Sequence, residues 1–295
     1  MMVNRTKLRR IGGFEITNGL LMLAVCFMTL YPMWFVLVNS FNAAEYAVLG
    51  TVNWLPKAFS LDSYRVVFNN ENMMHGFLIT ALRTIIGTVV HVLFTAIVAY
   101  GLSKTNLIGR KFYMKYALIT MLFSGGLIPT FLLMTKLGLY NNFLVFIIPA
   151  MYSFFDMVIF ISFFRTIPDS LEESAKVDGA SDYGVLFRIV LPNSMAVIAT
   201  IALFSAVYHW NDYYQGVIYI RSQELLPLQT MLYKIIAENS MSFMQQQAMA
   251  QFGARLPGNS IKFASMMVAT VPILLFYPFI QRYLVKGVMI GAIKG

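Results

Sequence analysis

Charge is scarce in this chain. Only 12% of its 295 residues are Asp, Glu, Lys or Arg, about half the share a soluble domain carries. Cysteine is scarcer still. Cys26 alone excludes an internal disulfide and any cysteine metal cluster, and it lies in an apolar run where a thiol packs as a small hydrophobe. A GxxxxGK[ST] phosphate loop is missing, so ATP hydrolysis by this chain is not expected. The three histidines, His75, His91 and His209, lack metal-ligand spacing, and no Ser/His/Asp set stands out. What fills the chain instead is apolar: 58% of residues are hydrophobic, 20 of them Met read as packing. A soluble core of this size cannot bury so much without large exposed patches, whereas a bilayer can. The net charge of +9 would suggest nucleic acid in a soluble protein. Here it must be read by position, because cytoplasmic loops collect Lys and Arg; nucleic acid is not an expected partner.

A helix rises about 1.5 Å per residue, so a hydrocarbon layer of ~30 Å takes roughly 20 apolar residues. Nearly charge-free runs of that length predict an all-α polytopic membrane protein with six transmembrane helices, at about 17–41, 80–103, 116–135, 138–164, 192–211 and 263–281. Arg5, Lys7, Arg9 and Arg10 precede the first. That run is too long for a signal peptide and no small-x-small pattern follows it, so it reads as a retained anchor. Lys104, Arg110, Lys111 and Lys115 fill the second-to-third connection, and Arg282, Lys286 and Lys294 the tail. These alternate onto one side, which places both termini in the cytoplasm. The expected organisation is a cytoplasmic N-terminus (1–15), a span-bearing domain (16–281) and a cytoplasmic tail (282–295).

The fourth-to-fifth connection, 165–191, breaks the charge rule. It carries Asp169, Glu172, Glu173, Asp178 and Asp182 against Arg165, Lys176 and Arg188. The spacing predicts two short helices. Ser170 and Glu173 have the pattern of a capping box starting a helix at Leu171, and Gly179 is placed to end it. Ser181 caps a second helix, with Asp182 in its first turn. Val185, Leu186, Ile189 and Val190 form an apolar stripe that wants a partner, and Pro192 stops the helix and opens the fifth span.

The pattern E-x-A-x3-G-x9-I-x-LP stands here as Glu173, Ala175, Gly179, Ile189, Leu191 and Pro192. It resembles the EAA loop of importer permeases in the ATP-binding-cassette superfamily, and Asp178-Gly179-Ala180 resembles its sugar-importer branch. Ser174 replaces the usual first Ala. His209-Trp210-Asn211-Asp212-Tyr213 resembles that branch's W-N-D/E-F/Y signature. The end, with Lys286, Gly287, Gly291, Lys294 and Gly295, is similar to the tail of the maltose-importer G-type subunit. The resemblance covers about residues 18–295. It implies a type I importer permease fold that pairs with a homologous second permease. It also implies two ATPase subunits that hold ATP and Mg (none on this chain), and an extracytoplasmic solute-binding protein that delivers sugar. Coupling to the ATPase then falls to Glu172, Glu173, Ala175, Asp178, Gly179, Ala180, Ile189, Leu191 and Pro192, and to the tail.

Ionisable groups at membrane depth default to function. Asp156 faces either a polar path or a helix of the partner. Arg83 lies near a span end and is expected to snorkel; His91 is read as a packing histidine. Aromatic faces with polar neighbours suit sugars, which makes Tyr152, Phe155, Asp156, Tyr208, Trp210 and Asn211 candidates for the substrate path. The outward loop 212–262, with helix expected around 229–238, is either a contact surface for a binding protein or a solvated connection. The rival reading is a secondary transporter or channel, which would need midplane coupling charges or inverted repeats. Only Asp156 answers to the first, and no internal symmetry answers to the second.

Overall fold

The computed structural model describes residues 12–43, 46, 54–237 and 261–275. Among them the only β pairing is one antiparallel bridge between Asn42 and Phe59. The chain divides into two compact units, residues 1–67 with 248–267 and residues 68–247 with 268–295.

In the first unit, α1 (Gly13–Ser40) runs 28 residues, about 42 Å at 1.5 Å per residue. Its first turn has no side-chain cap from Gly12, so Glu15 reaches back to the Gly12 N–H at 3.2 Å. Mean hydropathy reaches 2.2, and nearly all of its surface is exposed. Polar contacts finish the helix: Ser40 shares a 2.7 Å hydrogen bond with Tyr64 of α2 (Asp62–Asn69), and Asn42 accepts the Lys57 N–H at 2.8 Å.

The second unit is organised on α3 (Glu71–Ser103), 33 residues capped by the Asn70 side chain on the Met73 N–H. Around it lie α4 (Arg110–Leu122), α5 (Leu127–Lys136), 3-10 turns over Phe143–Ala150, α6 (Phe154–Phe164), α7 (Asp169–Val177), α8 (Asp182–Asn193), α9 (Met195–Asn211), α10 (Tyr214–Tyr219) and α11 (228–237). A final helix, α12 (Ile261–Leu275), closes the described chain. One face of α3 is buried at helical spacing: Gly76, Thr80, Arg83, Gly87, His91, Thr95 and Ala99. Apolar clusters flank this stripe. One gathers Val92, Met157, Phe160, Leu186 and Ile201; the other gathers Ile79, Val145, Phe146, Tyr219 and Leu226.

The helices depart from the predicted runs where backbone chemistry interrupts apolar patterning. The second begins nine residues before the expected 80, because Asn70 supplies a cap that a charge-free search overlooks. The run 116–135 is broken by a 113° bend between α4 and α5. Gly126 adopts φ +84°, open to glycine alone at little cost, and Pro129 falls in the first turn of α5, where a missing N–H is harmless. The run 138–164 is 3-10 turns followed by a 49° bend, at which Ser153 caps α6 afresh. The fifth starts at Met195, and of the sixth only 261–275 falls within the described residues.

Packing is close between α3 and α9, where a Cβ on Gly87 would strike the His209 ring. Gly87→Ala should therefore lower stability by about 1–3 kcal/mol through overpacking, read as a lower thermal unfolding midpoint in detergent. Adding His209→Ala should recover most of the loss; no recovery would place the strain elsewhere.

Candidate functional site

Arg83 sits at the centre of the buried stripe and is fully covered. Its Nη2 meets Asp212 Oδ2 at 2.7 Å and Gln215 Oε1 at 3.3 Å, and Nη1 donates to the Asp212 carbonyl at 3.1 Å. The guanidinium lies 4.3 Å from the centroid of the Phe146 ring, a stacking that suits its planar, weakly hydrated cation. Asp212 Oδ1 meanwhile accepts the Tyr214 N–H at 3.2 Å. So Arg83 does not snorkel: it fastens α3 to the turn joining α9 and α10.

Two turns further along α3, His91 Nε2 lies 2.9 Å from Asp156 Oδ2, and Nδ1 lies 2.7 Å from the Ala150 carbonyl oxygen. That carbonyl can only accept, so Nδ1 carries a hydrogen. The remaining bond needs one proton between Nε2 and the carboxyl. Whichever atom holds it, the pair is neutral overall. Asp156 sits in the first turn of α6, with its N–H on Ser153 Oγ at 3.3 Å. His91 is thus satisfied as a packing histidine would be, but it also borders a cavity of about 310 Å³. Tyr152, Asp156 and His91 line that cavity together with Phe204, Ser205 and Tyr208 of α9. Along the same α3–α9 seam, Arg83 Nε, Thr88 Oγ1, Ser205 Oγ and both His209 ring nitrogens are buried with no hydrogen-bond partner among the described residues. In a native interior such groups are few, and each asks for an explanation.

The acidic connection forms a helix–turn–helix. α7 starts at Asp169 after Pro168. The expected capping box is absent: Ser170 lies inside the helix, its carbonyl taking the Ser174 hydroxyl at 2.8 Å. Gly179 (φ +84°) ends it in a Schellman turn, with Ala180 N–H on Ala175 O at 2.9 Å and Gly179 N–H on Lys176 O at 3.0 Å. Ser181 then accepts the Gly184 N–H at 3.2 Å and starts α8. Lys176 and Asp182 bridge the turn at 2.8 Å. Through that bond, each raises or lowers the other: the Lys176 ammonium sits above its ordinary pKa and the Asp182 carboxyl below. Pro192 does not stop α8. A π-helical stretch, Leu186–Val190, absorbs the hydrogen bond that Pro192 cannot donate, and the helix turns by 85° only at Ser194.

One expectation for this loop is corrected by burial. Val185, Leu186 and Val190 are covered by this chain's own α3 and α6 cluster, so the stripe asks for no outside partner. The uncovered apolar groups are Leu171, Val177, Tyr183 and Phe187, with Val177 88% exposed. Glu172 is turned inward: it accepts from Tyr100 Oη at 3.2 Å and pairs with Lys104 Nζ, both at the end of α3. Arg110 and Arg165 cover the last carbonyls there, on Leu102 at 2.7 Å and Ser103 at 3.4 Å. Glu173 is exposed, as are Asp178, Gly179 and Pro192, while Ala175, Ala180, Ile189 and Leu191 are half-buried.

Of the proposed path residues, Tyr152, Asp156 and Tyr208 meet at the cavity. Phe155 is exposed away from it, Trp210 donates to the Ala269 carbonyl at 3.0 Å, and Asn211 to the Val207 carbonyl at 2.8 Å. The tail residues Lys286, Gly287, Gly291, Lys294 and Gly295 lie outside the described residues. Sequence reasoning missed the pairing of Arg83 with Asp212, and it missed Ser205. The signal for the first was the small and polar stripe on α3 at i, i+3/i+4 spacing.

The family described as binding-protein-dependent transport system inner membrane component matches residues 14–290. The polygalacturonan/rhamnogalacturonan transport system permease protein YtcP of Bacillus subtilis (strain 168) is 41% identical over 286 residues, covering 97% of this chain and 99% of that protein. Protein LplC of the same organism is 36% identical, covering 99% and 98%. A chain in the crystal structure of a bacterial ABC transporter involved in the import of the acidic polysaccharide alginate has a TM-score of 0.82 at 28% identity, covering 96% of this chain and 99% of that one.

Removing one partner of a buried ion pair leaves an uncompensated charge, at roughly 3–5 kcal/mol. Arg83→Met should therefore collapse the yield of folded protein in detergent. Arg83→Met with Asp212→Asn, which keeps the α10 hydrogen bonds, should restore much of it; equal losses in both variants would remove the ion pair from its structural role.

Proposed function

This chain belongs to the binding-protein-dependent transport system inner membrane components, and from that premise we propose that it forms half of the translocation path of an ATP-driven importer for acidic oligosaccharides. The full-length match to a permease family carries the transport reading. The sugar rests on the relative named for polygalacturonan and rhamnogalacturonan and on the structural neighbour from an alginate importer. A second, homologous permease completes the path, two ATPase subunits supply the energy, and a solute-binding protein delivers cargo from outside.

We count six crossings: α1, α3, the two bent pairs over 110–136 and 143–164, α9 and α12. The basic 104–115 connection then lies in the cytoplasm beside the α7–α8 loop, and both termini face the same side. In this orientation Glu173, Leu171, Val177, Tyr183 and Phe187 form the surface offered to the ATPase. Glu172 is the internal strut: it ties α7 to the end of α3, whose other turns carry His91 and Arg83. Closure of the ATPase dimer would push α7, and the push would reach the polar stripe through Glu172. Each ligand need only bind one arrangement better than the other for this to drive alternating access.

Two variants separate docking from transmission. Gly179→Val puts a β-branched residue at φ +84° and should break the Schellman turn; isolated through a tag on this chain, the complex should lose its ATPase. Lys104→Met should keep the ATPase bound but sever its stimulation by loaded binding protein, and the swap Lys104→Glu with Glu172→Lys should restore part of it. Retention of ATPase and coupling in both variants would refute the loop's role.

A further inference from the structure

Helical Ser and Thr at membrane depth normally turn their hydroxyls back onto the carbonyl four residues earlier. Thr80, Thr84 and Thr200 all do so, at 2.9, 2.7 and 3.0 Å. Ser205 does not. It is 5% exposed, its Oγ has no partner among the described residues, and it lines the 310 Å³ cavity. A hydroxyl held there without a bond costs stability, and a ligand in the cavity is what would repay it.

The cavity wall defines the ligand's chemistry. Among the described residues no Lys or Arg lines it. Arg83, two turns away on α3, is paired with Asp212 and Gln215. The His91–Asp156 pair contributes no net charge, by the proton count above, yet it leaves carboxyl lone pairs free to accept. Tyr152, Tyr208 and Phe204 add flat apolar faces. Acceptors, an idle hydroxyl and aromatic faces fit the hydroxyls and C–H face of a pyranose ring. They do not fit a carboxylate, which would be desolvated without a cation to meet it.

We propose that Ser205, Asp156 and His91 form a subsite on this chain that binds one sugar unit through its hydroxyl groups, and that it does not read the carboxylates of an acidic cargo. This rests on the sugar-importer reading. The subsite is therefore indifferent to whether a uronic acid is free or esterified, and charge selection belongs to other parts of the assembly.

The test uses the complete complex, purified through a tag on this chain, in proteoliposomes with saturating binding protein. Uptake of tri-galacturonate is compared with uptake of its neutral methyl ester. Ser205→Ala removes only the idle hydroxyl, so its thermal midpoint should equal or exceed the native one while uptake of both cargoes falls about three- to tenfold, the worth of one hydrogen bond. Asp156→Asn, which still offers His91 a hydrogen-bonding partner, should slow both cargoes by one common factor. Unchanged uptake in Ser205→Ala would overturn the subsite. A change in the acid-to-ester ratio in Asp156→Asn would overturn its neutrality. Failure of the native complex to carry either cargo would instead strike the sugar reading, and the subsite with it.

Discussion

A guanidinium buried away from water must be answered by a carboxylate, and nearly everything in the second unit follows from where that answer comes. Arg83 is reached by Asp212, 129 residues later in the chain. Meeting it brings the end of α9 against α3, sets Phe146 under the cation, and fixes the turn from which α10 departs. Because the cost of an unanswered charge rises as the dielectric falls, this contact has little freedom to slip. Gly87 then lets the His209 ring press close against α3, and the helices are joined along a seam rather than at a point.

That seam is unusual in chemistry more than in geometry. Beside the satisfied ion pair lie buried polar atoms that bond to nothing described, and an acid–imidazole pair whose charges cancel. Apolar packing on either side supplies the cohesion, through Val145 and Phe146 in one cluster and Met157, Phe160 and Leu186 in the other. The polar groups thus need not be optimal for folding. Groups left short of partners in one arrangement are available to cargo, to water or to a second arrangement, which is what a transport path between rigid layers requires.

How much of this was legible beforehand depended on the range of the interaction. Local signals carried well: Gly179 ends α7 and Ser181 starts α8 because turn chemistry resides in a few consecutive residues. Apolar length located helices, but it could not see breaks whose causes are backbone conformations, as at Gly126, or repairs such as the π stretch before Pro192. Burial was misjudged where the partner was distant in sequence. The stripe Val185, Leu186 and Val190 was assigned to another protein because nothing nearby could cover it, yet α3 and α6 do. Glu172 and Glu173 are adjacent and alike, and only folding turns one inward and the other out. Arg83 was read as snorkelling because its counter-ion lies in a motif valued for other reasons.

The joint at Ser194 carries a mechanical consequence. Ser194 is fully buried, with its hydroxyl on the Val190 carbonyl at 2.6 Å and its N–H on Leu191 O at 2.9 Å. α8, twelve residues long, therefore stands at 85° to α9 as an arm of about 18 Å on a braced corner. Turning α9 by about 10° about its own axis would sweep the tip of that arm, where Asp182 meets Lys176, sideways by about 3 Å. An elbow of this kind works as a crank: it exchanges displacement at the loop for rotation of the helix that carries Ser205 and Tyr208. The side chains along the seam would then change neighbours by turning in place, without any helix sliding along its length.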